Sequence, residues 1–122
     1  MTIAQAIDRV DRLKSNAYSL GEKREWLRKL EWMLKRNILD THGPGLSFRD
    51  LNEGSPAEQE LLAPAPFDEL YIKWLEAQID YHNGEFDKFN AAMLLFNAAW
   101  REFENYYKQE HGSPSGTCRF RF

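Results

Sequence analysis

Apolar residues return at helical spacing in four stretches of this 122-residue chain. Ile3, Ile7, Val10 and Leu13 form the first stripe. Thr2 and Gln5 stand where a capping box belongs, each side chain able to accept the other residue's backbone N–H. The run SNAYS breaks the pattern. Ser19 and Glu22 then repeat the cap and open a second helix whose inward face is Trp26, Leu27, Leu30, Met33, Leu34 and Ile38. Its basic residues Lys23, Arg24, Arg28, Lys35 and Arg36 lie mostly elsewhere around the helix, with Glu25 and Glu31 among them. The run THGPG ends it, because Gly43 can take a left-handed C-terminal conformation and Pro44 cannot continue a helix.

Residues 43–66 form a long irregular connection holding four of the five prolines. Leu46, Phe48 and Leu51 have the short alternation of a strand or a small β-hairpin. Leu61 and Leu62 would pin its end to the core. A third helix is predicted from Pro66, placed in the first turn, with Asp68 and Glu69 at its positive end and Leu70, Trp74, Leu75, Gln78 and Ile79 inward. Asn83 and Gly84 supply a turn. The fourth helix carries Phe86, Phe89, Met93, Phe96, Trp100, Phe103 and Tyr107, alternating steps of three and four that make a heptad seam. So short a break between two long helices predicts an antiparallel helical hairpin. The last ten residues end in CRFRF, aromatics alternating with arginines at the period of a strand.

The expected fold is therefore all-α, a bundle of about four helices dominated by the C-terminal hairpin. One helical domain spans 1–112, with the 43–66 loop inside it, and 113–122 is an extended tail. The seam reads as core facing Leu70, Trp74 and Ile79; an exposed Trp100 would make it an interface instead.

Composition fits a folded core: 43% of residues are hydrophobic and 14% aromatic. No apolar run approaches the ~20 residues of a membrane span, and the first residues lack the apolar stretch of a signal peptide. The single Cys118 excludes a disulfide within the chain. A soluble protein of a reducing cytoplasm is the expectation. Charge is uneven. Residues 1–40 hold nine Lys/Arg against six Asp/Glu, and residues 41–112 hold five against thirteen. A chain with one basic and one acidic end can pair head-to-tail with its copies.

Candidate chemistry is sparse. Glu76 and Asp80 lie one helical turn apart, near His82, but neither Glu-x-x-His nor His-Glu-x-x-His occurs. Asp80 and His82, two apart, point to different sides of a helix, so the carboxylates read as a solvated acidic face. His42 and His111 precede glycines at helix ends, where an imidazolium complements the helix dipole. Cys118 has neither a cysteine partner nor a histidine close by in sequence. HGPG lacks the spacing of a phosphate-binding loop. No catalytic, cofactor-binding or metal-ligating residue is expected, and the chain is not expected to be an enzyme. The basic second helix raises a DNA-binding reading, weakened by the acidic balance of the whole chain.

Leu62-Ala63-Pro64-Ala65-Pro66, Tyr71, Trp74-Leu75-Glu76-Ala77-Gln78-Ile79-Asp80, Asn83-Gly84-Glu85 and Phe96-Asn97-Ala98-Ala99 resemble the small head–tail connector (adaptor) proteins of tailed phages and prophages of Gram-positive bacteria. The opening TIAQAIDRVDRLKSNAY and LDTHG fit the same group, so the resemblance covers most of residues 1–107. It implies a structural virion protein, assembled in the host bacterial cytoplasm. The implied form is a ring of copies, a dodecamer on the portal protein, that receives a tail or stopper protein. Passive contact with DNA in the channel is compatible with such a place, and a membrane is not involved. CRFRF departs from the pattern. Candidate contact residues are Arg24, Arg28, Lys35 and Arg36 on the basic side and Glu76 and Asp80 on the acidic side, with Phe48, Phe120 and Phe122 as apolar anchors. The alternative is a small helical regulatory or DNA-binding module of a mobile element.

Overall fold

A computed structural model describes residues 1–39 and 54–111. Four α-helices order them: α1 (Ile3–Leu13), α2 (Leu20–Leu34), α3 (Glu69–His82) and α4 (Phe86–His111). The fold is all-α. The expected short hairpin around Phe48, the break at Gly43–Pro44, His42, and the tail with Phe120 and Phe122 lie outside the described residues.

Both expected capping boxes form. Thr2 Oγ1 accepts from the Gln5 N–H and Gln5 Oε1 from the Thr2 N–H, and Ser19 and Glu22 do the same at α2. These contacts are set by residues three apart, so local sequence suffices to specify them. Helix α2 passes at its end into a π-helical turn, Lys35–Leu39, which carries Ile38 into the core.

Helix α3 is the hub, packed on α1, α2 and most extensively on α4. It is buried nearly all round: Leu70, Tyr71, Ile72, Leu75, Ala77, Ile79 and Asp80 are all inside. A helix with neighbours on several sides needs more than one apolar stripe. It begins at Glu69, so Pro66 is not in its first turn. The Phe67 N–H donates to the Pro64 carbonyl and the Leu70 N–H to the Phe67 carbonyl. These tight turns occupy residues 65–68 before regular helix starts at Glu69.

The hairpin forms as expected. Asn83 caps α3, and Gly84 adopts φ 78°, a left-handed conformation that favours glycine. Along α4, Phe96, Phe103 and Tyr107 are buried while Phe89, Met93 and Trp100 are half-buried. Phe86 is 57% exposed, because it sits beside the end of α3 and meets only its rim, with Tyr81 at 6.0 Å. Trp100 is likewise only partly covered, against Phe96 at 5.9 Å, and packs on the edge of the core. Trp100→Ala should therefore cost about 2 kcal/mol, below the roughly 3–5 kcal/mol of a fully enclosed aromatic. A denaturant melt checks this, and a loss below about 0.5 kcal/mol would place Trp100 outside the core.

The described end of the connection is not loose. The Ile3 and Ala4 N–H groups donate to the Gln59 and Ala57 carbonyls, and the Leu61 N–H to the Met1 carbonyl. Thr2 and Glu60 form an isolated antiparallel bridge. Leu61 and Ala63 are buried and Leu62 is half-buried, as the pinning role of Leu61 and Leu62 required. Residues 57–61 of the connection are thus tied to the start of the chain. Orphan donors at the start of α1 find their acceptors there. No helix among the described residues is long and apolar enough to cross a membrane.

Candidate functional site

The most unusual chemistry lies where α2, α3 and the strip 61–63 meet. Glu31, on α2, is only 2% exposed. Its Oε1 accepts from the Tyr71 hydroxyl of α3 at 2.6 Å, and its Oε2 accepts from the Leu62 N–H at 3.0 Å. The Tyr71 oxygen accepts in turn from the Ala63 N–H at 2.8 Å. One carboxylate and one phenol thus join three parts of the chain. Burial dominates the carboxyl's titration and pushes its pKa up to about 7, against the smaller opposing effect of the hydrogen bonds from Tyr71 and Leu62. Burial, with the neighbouring Glu31 charge, holds the Tyr71 hydroxyl well above its ordinary value.

A carboxyl that titrates near neutrality can act as an acid or a base. Here both partners are the chain's own groups and Glu31 is buried between them, so the arrangement works as a clasp. Its place was not visible in the sequence, where Glu31 read as one of the surface charges between the basic residues of α2. One signal was available. Lys23, Leu27, Leu30, Glu31, Leu34 and Ile38 fall on one helical stripe, and all six are buried.

Lys23 follows the same logic, donating to Asp11 Oδ1 at 2.7 Å. Asp80 gives the plainest correction. Read as part of a solvated acidic face and as a contact residue, it is 2% exposed and accepts from Lys14 Nζ at 2.8 Å. The pair ties the end of α1 to α3, and a charge removed from water requires such a partner. Glu76, its supposed companion, is half-buried with Lys73 Nζ at 3.7 Å.

His82 does point away from Asp80. Its ring stacks on Trp26 at 5.0 Å and meets Tyr18 at 6.0 Å. Its Nδ1 lies 2.9 Å from the Gln78 carbonyl, which can only accept, so the proton sits on Nδ1. The Tyr18 hydroxyl donates to Asn83 Oδ1 at 2.7 Å and Trp74 Nε1 to the Trp26 carbonyl at 2.8 Å. These contacts lock α2 onto the hairpin. Among the described residues no group of three or more His, Cys, Asp or Glu is placed to hold a metal ion.

The basic candidates do not form one open face. Arg24 and Arg28 are half-buried, with Arg28 Nη1 at 3.5 Å from Glu25. Lys35 lies over the Trp32 ring at 5.6 Å, and Arg36 is exposed on the π-helical turn. Fold and site together define a small α-helical protein tied by buried polar pairs. Comparison of the chain with protein-family models, curated proteins and solved structures gives no match in any of the three.

Proposed function

We propose that the chain is a structural assembly protein, a head–tail connector that stands in a ring between the portal and the tail of a tailed phage or prophage. The observation that supports this reading is where the resembling residues go. Leu62, Ala63 and Tyr71 belong to the Glu31 clasp, Trp74 bonds the α2 backbone, Asp80 holds Lys14, and Asn83-Gly84 turns the hairpin. They are the joints of the fold rather than groups presented to a substrate. A sequence that keeps its joints and places its tightest polar groups within them suits a building block. A closed ring needs two different surfaces on each copy, and the uneven charge of the chain offers them.

The DNA-binding alternative draws on the same basic helix, but Lys23 is spent on Asp11 and Arg28 lies beside Glu25. That leaves fewer free cations on α2 than its composition suggests.

The test is binding to the purified portal protein of the same genome, followed by mass photometry across a salt series. Added mass of one ring per portal is the expected result. Arg28→Glu with Arg36→Glu should slow ring closure at low salt, since exposed charges govern encounter more than affinity. No added mass at any salt concentration overturns the connector reading.

A further inference from the structure

Helix α4 packs chiefly along α3, and among the described residues its opposite face is exposed. On that face Asp87, Ala91, Leu94, Ala98, Arg101 and Asn105 follow one another at steps of four and three, all exposed. This is a second heptad stripe, turned away from the buried one. Its centre is apolar: Leu94 is 71% exposed and the adjoining Leu95 56%. Charges stand only toward its ends.

We infer that this face is where two copies of the free chain pair, α4 against α4, antiparallel about a two-fold axis. The charge pattern selects the arrangement. Side by side in parallel, the stripe would set Asp87 against Asp87 and Arg101 against Arg101 of the second copy. Antiparallel, with Leu94 over Ala98 of the second copy, those like charges separate. Leu95 then meets Leu95 on the axis. Flanking it, Lys88 faces Glu102 of the second copy, and Glu102 faces its Lys88. Lys88 now reaches Glu85 within the chain at 2.7 Å, both side chains well exposed, so it can exchange that contact at little cost. Small Ala91 and Ala98 let the helix axes approach, and the leucines fill the space above them. The pairing is a property of the free chain and does not rest on the portal reading; each can fail without the other.

The experiment is sedimentation equilibrium of the full chain from about 1 to 200 µM, a range that brackets a weak helix-pair dimer. A monomer–dimer equilibrium is expected. Leu94→Glu should leave a folded monomer by circular dichroism. Lys88→Glu and Glu102→Lys should each weaken dimerisation about tenfold, because each change affects two pairs across the axis. The double variant should restore it, since the swapped charges again face one another. In a Cys118→Ser background, Leu95→Cys should cross-link to itself under mild oxidation. Asn105→Cys, also exposed on the stripe but far from the axis, should not. A chain that stays monomeric throughout overturns the proposal. So does a dimer indifferent to Leu94→Glu and to the charge swap, or one in which Asn105→Cys cross-links as readily as Leu95→Cys.

Discussion

Glu31→Ala should destabilise the protein by about 3–5 kcal/mol, although sequence patterning places Glu31 among surface charges. The change removes the acceptor of two buried donors at once, the Tyr71 hydroxyl and the Leu62 N–H. Each donor left without a partner costs about 1–3 kcal/mol, and the vacated space adds to it. The loss should be cooperative. Tyr71→Phe takes away the same donor and also the acceptor of the Ala63 N–H, so the double variant should lose less than the sum of the two singles. Denaturant melts of the four proteins measure the coupling. Additive losses would mean that the three groups do not act as a unit.

The same residue sets a pH dependence whose sign is opposite to that of most carboxylates. The folded-state pKa of Glu31 is about 7, against an ordinary 4.5. Between those values the folded protein keeps a proton that the unfolded chain has released. The contribution of Glu31 is thus fully present below about pH 4.5 and is lost as pH rises through 7. The total is about 3 kcal/mol, from ~1.4 kcal/mol per unit. Chemical melts at pH 5, 6, 7 and 8 should show stability falling with pH, and Glu31→Gln should flatten the slope. An unchanged slope in Glu31→Gln would assign the pH dependence elsewhere.

What the sequence conveyed divides along a physical line. The caps at Thr2–Gln5 and Ser19–Glu22, the turn at Asn83-Gly84 and the seam from Phe89 to Tyr107 were legible because each depends on residues a few positions apart. The buried polar pairs were not. Glu31 and Tyr71 are 40 residues apart and Lys14 and Asp80 are 66. A charged residue gives no local sign that a partner will arrive from that distance. Periodicity does carry a partial sign, since Glu31 and Lys23 occupy the apolar stripe of α2. The rule that charges face water hid it. For α3 even that sign fails, because a helix covered by three neighbours has no single inward face on which Asp80 could look out of place.

Lys14→Met tests the other long-range pair and carries the second large effect. Lys14 is partly exposed while Asp80 is enclosed, with its side-chain oxygen bonded to Lys14 Nζ. Methionine keeps the packing of the stem but strands a buried carboxylate, a loss of about 3–5 kcal/mol where a charge is left without its partner. Asp80→Asn alone should cost less, because a neutral amide tolerates burial and Lys14 can turn toward water. Adding Asp80→Asn to Lys14→Met should then recover much of the loss, since the uncompensated charge is what destabilises the single variant. The ordering expected from melts at neutral pH is wild type, Asp80→Asn, the double variant, and Lys14→Met last. If Lys14→Met melts within about 0.5 kcal/mol of wild type, Asp80 lies in water after all. The solvated acidic face read from the sequence would then stand, and with it Asp80 as a contact residue for another copy.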